Sequence, residues 1–122
     1  WETKKIFADE EILVNPTAVR VPVFYGHSEA IHIETREKIT AEAARKLLAE
    51  MDGITLLDER EDGGYPTAVT ESSGQDDVFV GRIREDISHP NGLNIWVVAD
   101  NVRKGAALNS VQIAELLVKN FI

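Results

Sequence analysis

The apolar residues of this chain follow two different periods, and each period predicts a different kind of element. In the segment IHIET the two isoleucines alternate with a histidine and a glutamate. A two-residue period is typical of a β-strand with one buried face, so we expect a strand over 28–35. Apolar runs predict further strands at 19–25, 54–57, 78–83 and 93–98, with short strands at 12–14 and near 68–69.

A helical period begins after Thr40. The segment that follows carries an apolar stripe at intervals of three and four: Ala44, Leu47, Leu48 and Met51. Such a stripe is typical of a helix that covers a core. Thr40 is suited to accept a backbone N–H at the amino end, and Gly53 is suited to the left-handed residue that ends many helices.

The order of the expected elements indicates the fold class. Helices are also predicted at 1–7 and 102–119, and the acidic, Gly- and Ser-rich segment 58–76 is predicted to be a long loop. Because strands meet in runs, we expect an α+β fold with a mixed, largely antiparallel sheet, helices packed on one face and a C-terminal helix. Neither GxGxxG nor GxxxxGK[ST] occurs, so a doubly wound nucleotide fold is not expected.

Composition narrows the classes of function. The chain has 122 residues, with 13 Lys and Arg against 21 Asp and Glu, and a formal net charge of −8. A surface this acidic repels phosphate backbones, so we expect no nucleic-acid partner. No apolar run approaches the ~20 residues that span a bilayer, and the first residues lack the pattern of a signal peptide, so we expect no membrane partner and a cytoplasmic location. With no cysteine and three scattered histidines, we expect neither a disulfide nor a metal site.

The segment RVPVFYGHSEA carries residues that a plain core strand does not need. Arg20 offers a planar fork that matches a carboxylate, and His27 titrates near neutral pH and suits proton transfer. Successive side chains of a strand alternate between faces, so residues seven apart point to opposite sides unless the strand is irregular. Pro22 and Gly26 permit such a bulge or bend. The alternative interpretation is an arginine at a sheet edge and a half-buried, hydrogen-bonded histidine.

Glu2 and Lys5 form a second candidate pair. A spacing of three places both on one face of a helix. They would offer one negative and one positive contact to a zwitterionic or phosphorylated ligand. The alternative interpretation is a solvated surface pair.

Four segments along nearly the whole chain carry a family resemblance: WETKKI, AVRVPVFYGHSEAIHIET, DVFVGRIRED and GLNIWVVADNVRKGAALNSVQIAELL. In this order they resemble the C-terminal part of the aspartate-β-semialdehyde dehydrogenase family. The resemblance implies an enzyme that reduces L-aspartyl 4-phosphate to L-aspartate 4-semialdehyde with NADPH, releases phosphate and uses a cysteine thiolate. It implies a place in lysine, threonine, methionine and diaminopimelate biosynthesis, and a homodimer in which the sheet of this domain faces its partner.

The same resemblance implies roles for individual residues. The acid/base histidine of the family corresponds to His27, and the arginine that binds the substrate carboxylate corresponds to Arg20. Glu2 corresponds to the residue that receives the substrate amino group, and Lys5 to the lysine near the phosphate. Asn101 corresponds to a position that contacts NADP, at the start of the predicted last helix, where small side chains and backbone N–H groups favour a close approach.

Two parts of the family's machinery are absent from these residues: the cysteine nucleophile and the glycine-rich nucleotide domain. Because covalent catalysis needs an activated nucleophile, we expect the chain alone to be inactive. A chain that opens on Trp1 is expected to be the C-terminal third of a longer enzyme, with NADP bound mainly by the absent domain. We expect 1–99 to belong to the catalytic and dimerisation domain, and 100–122 to form a helix that packs on the nucleotide domain.

Two alternatives belong to other classes of protein. The first is a non-catalytic dimerisation or ligand-binding module that kept this fold and lost the chemistry. The second is an unrelated acidic α+β domain.

Overall fold

The structure of the protein, a computed structural model, describes residues 2–122. Its helices are α1 (Glu2–Phe7), α2 (Ala41–Ala49) and α3 (Leu108–Phe121). Its strands are β1 (His27–Glu34), β2 (Ile54–Leu56), β3 (Val78–Glu85) and β4 (Gly92–Ala99). Residues Ala68–Ser72 form one π-helical turn, which we call the π-turn. Residues Arg103–Ala107 form a kinked turn, which we call the 103–107 turn. The predicted α+β class is confirmed.

The four strands form one mixed sheet in the order β1-β4-β3-β2. Strand β4 is antiparallel to both β1 and β3, whereas β2 and β3 are parallel. The prediction of a mixed, largely antiparallel sheet is therefore confirmed. Strand β1 pairs with β4 from His27 opposite Ala99 to Glu34 opposite Gly92. This register places the amino end of β1 beside the residues that follow β4.

Helix α2 covers one face of the sheet, as its apolar stripe predicts. The Thr40 hydroxyl oxygen accepts the backbone N–H of Ala43 at 3.1 Å, which confirms the predicted cap. Ala44, 6% exposed, is the buried residue of the helix and packs with Val80, Ile83 and Leu93. Burial of these side chains between helix and sheet forms the core, because removing apolar area from water is the main favourable term in folding.

Behind this core, an ion pair fixes an irregularity in β3. The pairing of β3 with β4 shifts register in its middle, and there Arg82 has a φ of +50°. The carboxylate of Asp58 accepts from Arg45 Nε at 2.6 Å and from the backbone N–H of Ile83 at 3.2 Å. One carboxylate therefore holds both α2 and the displaced backbone of the bulge.

The long loop lies against the opposite face of the sheet and contains the π-turn. The indole N–H of Trp96 donates to the carbonyl oxygen of Pro66 at 2.8 Å. The expected short strand near 68–69 is wrong, because two polar side chains close a helical turn there. The Thr67 hydroxyl accepts the N–H of Thr70 at 3.0 Å, and a Glu71 carboxylate oxygen accepts the N–H of Thr67 at 2.6 Å. Such reciprocal bonds are typical of a helix start.

The predicted strands at 12–14 and 19–25 are also wrong. Val23 donates its N–H to the carbonyl oxygen of Val21 at 2.9 Å, which makes a tight turn around Pro22 rather than a strand. The apolar side chains of this segment remain exposed, and Phe24 is 100% exposed. A strand needs a partner to satisfy its backbone and cover its side chains, and the described part of the chain offers none here.

The final helix begins later than expected. Lys104, Gly105 and Ala106 have non-helical backbone angles, so the regular helix α3 starts only at Leu108. None of its residues is buried. Its exposed apolar side chains include Val111, Ile113, Leu116, Leu117, Val118 and Phe121. The assignment of 100–122 to a helix that packs on another domain stays a prediction. Across residues 2–122, no helix combines the length and apolar character needed to cross a bilayer.

Candidate functional site

A cleft lies at the amino end of β1. It has a volume of about 270 Å³, and its lining includes His27, Asn101, Lys104 and Gly105. The register of the sheet creates it, because His27 pairs with Ala99 and the chain then turns out of β4. Two of the residues predicted from the sequence, an imidazole and a carboxamide 74 positions apart in the chain, are brought together here.

His27 is placed by its backbone. It is the first residue of β1 and its side chain is exposed. Within residues 2–122 the imidazole makes no hydrogen bond. The alternative interpretation of a half-buried, hydrogen-bonded histidine therefore does not describe this residue. An exposed ring beside a cleft is available to exchange protons with a bound molecule.

Asn101 connects the turn after β4 to the start of β1. Its Oδ1 accepts the backbone N–H of Gly26 at 2.7 Å. A backbone N–H can only donate, so the carboxamide oxygen must face Gly26 and the amino group must point elsewhere. Within the described residues the amino group has no hydrogen-bond partner. It is therefore free to donate to a ligand oxygen.

Asp100 holds the turn that carries Asn101. It is 5% exposed, and its two carboxylate oxygens accept the N–H of Gly74 at 2.8 Å and that of Val102 at 2.9 Å. These bonds favour the charged form, and the bond from Gly74 is the largest cause that lowers the pKa of this carboxyl. Asp100 thus joins the long loop, the end of β4 and the 103–107 turn.

The cleft wall formed by the 103–107 turn differs from the predicted helix terminus. The N–H of Gly105 donates to Asn109 Oδ1 at 2.8 Å, and Lys104 Nζ donates to Gln112 Oε1 at 2.8 Å. Glycine at a φ of +82° permits the kink. The predicted start of the last helix at residue 102 is wrong, because α3 starts only at Leu108.

The other three predicted site residues do not line this cleft. Glu2 and Lys5 lie on α1, exposed, at the predicted spacing of one helical face. Arg20 is exposed in the irregular segment before Gly26. The pairing of Arg20 with His27 in one pocket, and the roles of Glu2 and Lys5, stay predictions.

Two polar clusters outside this cleft were not predicted as sites. A cleft of about 630 Å³ lies beside the β3 bulge, and its lining includes Arg45, Asp58, Tyr65 and Arg82. The Arg82 guanidinium lies 5.6 Å from the centre of the Tyr65 ring, a cation–π distance. The sequence features that correspond to this cleft are the alternating arginines of GRIR and the acidic run DERED.

The second cluster surrounds His32 on β1. Its Nε2 lies 3.3 Å from Glu34 Oε1 and its Nδ1 lies 3.3 Å from Asp86 Oδ2. With an acceptor oxygen at each ring nitrogen, the doubly protonated ring is favoured, and the hydrogen bond to Glu34 is the largest cause that raises the pKa of His32. Among residues 2–122, no group of three or more His, Asp or Glu side chains is arranged to hold a metal ion.

Comparison with known proteins identifies the class. The model of the family described as "Semialdehyde dehydrogenase, dimerisation domain" matches residues 1–104. The chain therefore belongs to this family.

Several relatives of the chain share a more particular name. The chain is 62% identical over 122 residues to an aspartate-semialdehyde dehydrogenase of Legionella pneumophila, covering 100% of the chain and 35% of that relative. It is 64% identical over 121 residues to that of Shewanella violacea, covering 99% of the chain and 35% of the relative. Among solved structures, aspartate semialdehyde dehydrogenase II from Vibrio cholerae, complexed with ASA, superposes with a TM-score of 0.93 at 59% identity, covering 100% of this chain and 35% of that one. The chain thus spans about a third of the length of these relatives.

Proposed function

We propose that this chain is the C-terminal part of an aspartate-semialdehyde dehydrogenase that reduces L-aspartyl 4-phosphate to L-aspartate 4-semialdehyde and releases phosphate. The supporting observation is its identity with enzymes of that name over its whole length, 62% in one case. The same resemblance implies NADP as the cofactor, a cytoplasmic location and a role in lysine, threonine and methionine biosynthesis. The resemblance also implies the roles of the single residues described below.

The residues at the cleft fit one edge of a nicotinamide cofactor. Asn101 keeps an amino group that can donate to a carboxamide oxygen, and Gly105 leaves open space beside it. When bound, NADPH supplies the hydride of this reaction. The cofactor's other contacts would come from the nucleotide domain of the longer protein.

His27 is the proposed acid/base. It takes the proton of a cysteine thiol that lies outside these residues, and the sulfur then bonds to the acyl carbon as phosphate leaves. Arg20 binds the substrate carboxylate through its planar fork. Glu2 accepts from the substrate ammonium, and Lys5 binds the phosphate. Because the chain has no cysteine, these residues alone cannot form the acyl bond.

The experiment is steady-state kinetics of the full-length protein, following NADPH consumption with L-aspartyl 4-phosphate. We expect His27→Gln to lower kcat by ~10²–10⁴-fold, the range for loss of a general acid/base. Arg20→Lys keeps the charge but not the fork, and we expect it mainly to raise KM for the substrate. His89→Gln, in the turn at the other end of β4, is the matched control and should retain wild-type kinetics. A His27→Gln variant as active as the control would refute the assignment.

The description of the matched family favours a second candidate function, a dimerisation module without its own chemistry. We propose a homodimer in either case. Light scattering on the full-length protein measures the oligomeric state, and kinetics on the same sample separates the two functions. A dimer without turnover would favour the module, and a monomer would contradict both.

A further inference from the structure

We propose that Asn101 is a positioning residue for His27, acting through the backbone of Gly26. The inference rests on the proposed function for the catalytic role of His27. It gives Asn101 a task separate from contact with a cofactor, because the two tasks use different atoms of one carboxamide.

The first argument is that nothing but backbone geometry fixes His27. Its imidazole makes no hydrogen bond within residues 2–122. It is the first residue of β1, and the segment before Gly26 is irregular and exposed. The end of a strand frays unless its last backbone groups are held. The bond from the Gly26 N–H to Asn101 Oδ1, at 2.7 Å, holds the residue directly before His27.

The second argument is that Gly26 is confined from another direction as well. Its φ is +98°, and a methyl group built on it would lie 2.8 Å from the Cβ of Ala68 in the π-turn. Gly26 is therefore restrained by the π-turn as well as by Asn101. Loss of the Asn101 contact would remove one of these two restraints, and His27, the next residue, would be displaced with Gly26.

The third argument is that Asn101 has a rigid support. Asp100 directly precedes it, is buried, and accepts backbone N–H groups of Gly74 and Val102. A side chain that positions another group must itself be fixed by its surroundings. The carboxamide amino group, turned away from Gly26, remains for the ligand side of the cleft.

The test uses the full-length protein with three variants. Asn101→Ala removes the acceptor, Asn101→Asp keeps an oxygen acceptor but removes the amino donor, and Asn109→Ala is the matched control. Asn109 accepts the N–H of another glycine, Gly105, at 2.8 Å. Hydrogen exchange of the peptide that contains Gly26, kcat, and KM for NADPH are measured for each.

For Asn101→Ala we expect exchange at the Gly26 amide to become at least ~10-fold faster, as for loss of one hydrogen bond. We expect kcat to fall ~10–100-fold, since a displacement of about 1 Å in an active site has effects of that size. Asn101→Asp should keep the Gly26 amide protected and recover most of kcat at its pH optimum, while KM for NADPH rises. Asn109→Ala should leave the exchange of Gly26 unchanged.

Unchanged exchange at Gly26 in Asn101→Ala would overturn the proposal whatever the activity. So would a rise in KM for NADPH with kcat unchanged, since that result assigns Asn101 to the cofactor alone. If the wild-type protein shows no turnover of L-aspartyl 4-phosphate, the proposed function fails. The exchange comparison between Asn101→Ala and Asn101→Asp then decides by itself whether Asn101 holds the residue before His27.

Discussion

Replacing Gly26 by alanine should destabilise the protein more than an ordinary glycine substitution does. Two separate features of the site oppose a methyl group. The backbone φ of +98° lies in the region that residues with a Cβ rarely adopt. The new methyl group would also lie 2.8 Å from the Cβ of Ala68, well inside the usual carbon–carbon contact distance of roughly 3.5–4.0 Å.

The magnitude follows from these two features and one offset. A Cβ at left-handed backbone angles costs roughly 1–2 kcal/mol, and the smaller entropy of the unfolded alanine chain offsets about 0.4–1 kcal/mol. Overpacking at a well-packed position costs about 1–3 kcal/mol. With the middle of each range, Gly26→Ala should lower the free energy of unfolding by about 3 kcal/mol.

The control is Gly63→Ala, in the exposed loop. Its φ is +79°, and nothing lies within 4 Å of a methyl group built there, so only the backbone term applies. Urea denaturation of both variants should show a difference of about 2 kcal/mol in the free energy of unfolding. Losses that agree within about 0.5 kcal/mol would refute the contact with Ala68 as a source of destabilisation. Adding Ala68→Gly to Gly26→Ala should recover part of the loss, and a strictly additive double variant would contradict the contact as well.

Three further predictions concern single interactions. Thr40→Ala removes the oxygen that caps α2 and should cost about 1 kcal/mol of stability by urea denaturation; Thr40→Ser should be close to neutral, and an equal loss in both would count against the cap. Asp58→Asn leaves one carboxamide oxygen in place of two carboxylate oxygens, so it cannot accept from both the Arg45 guanidinium and the Ile83 N–H. It should lower the free energy of unfolding by about 2 kcal/mol, whereas Glu59→Gln, at the adjacent position, should have little effect. Equal stability of the two variants would refute the role of the Asp58 carboxylate. The hydrogen bond to Glu34 raises the pKa of His32 in the folded protein above 6.5. The charged imidazole therefore stabilises the fold fully below pH 6.5, and this contribution is lost as the pH rises through the pKa of the folded state. The stability of the wild type relative to His32→Gln should therefore decline above pH 6.5, and a difference independent of pH would contradict this.

The period of the apolar residues predicts those elements whose backbone hydrogen bonds are satisfied within this chain, as a helix or as a paired strand. The stripe of α2 packs on the core, and the alternation at IHIET belongs to a strand that pairs with β4, although nearly all side chains of that strand are exposed. The segment 19–25 has a comparable apolar content, yet it forms no strand. Its side chains find no cover among the described residues, and β-propensity without a partner does not make a strand.

The candidate site likewise combines features that the sequence predicts with features that depend on how the chain folds. Residue chemistry predicts that His27 is a proton-transfer group, and the resemblance adds Asn101 as a predicted contact of the cofactor. The bond between Gly26 and Asn101 joins residues 75 positions apart and depends on the register of β1 against β4. Sequence spacing contains no information on that register until the pairing partner is known. The π-turn that confines Gly26 was detectable only from a threonine followed four residues later by a glutamate, TAVTE.

A shared pocket for Arg20 and His27 stays a prediction, but the described residues contain no strand over 19–25 for Pro22 and Gly26 to bend. Instead Pro22 lies in a tight turn of an irregular segment, and Gly26 marks the point at which the sheet begins. His27 is therefore tied to β4 and, through Gly26, to Asn101, whereas Arg20 is exposed in the irregular segment before that junction. It follows that a change at Asn101 should displace His27, the proposed acid/base, without displacing Arg20, the proposed ligand of the substrate carboxylate. Such a change should lower kcat more than it raises KM for the substrate.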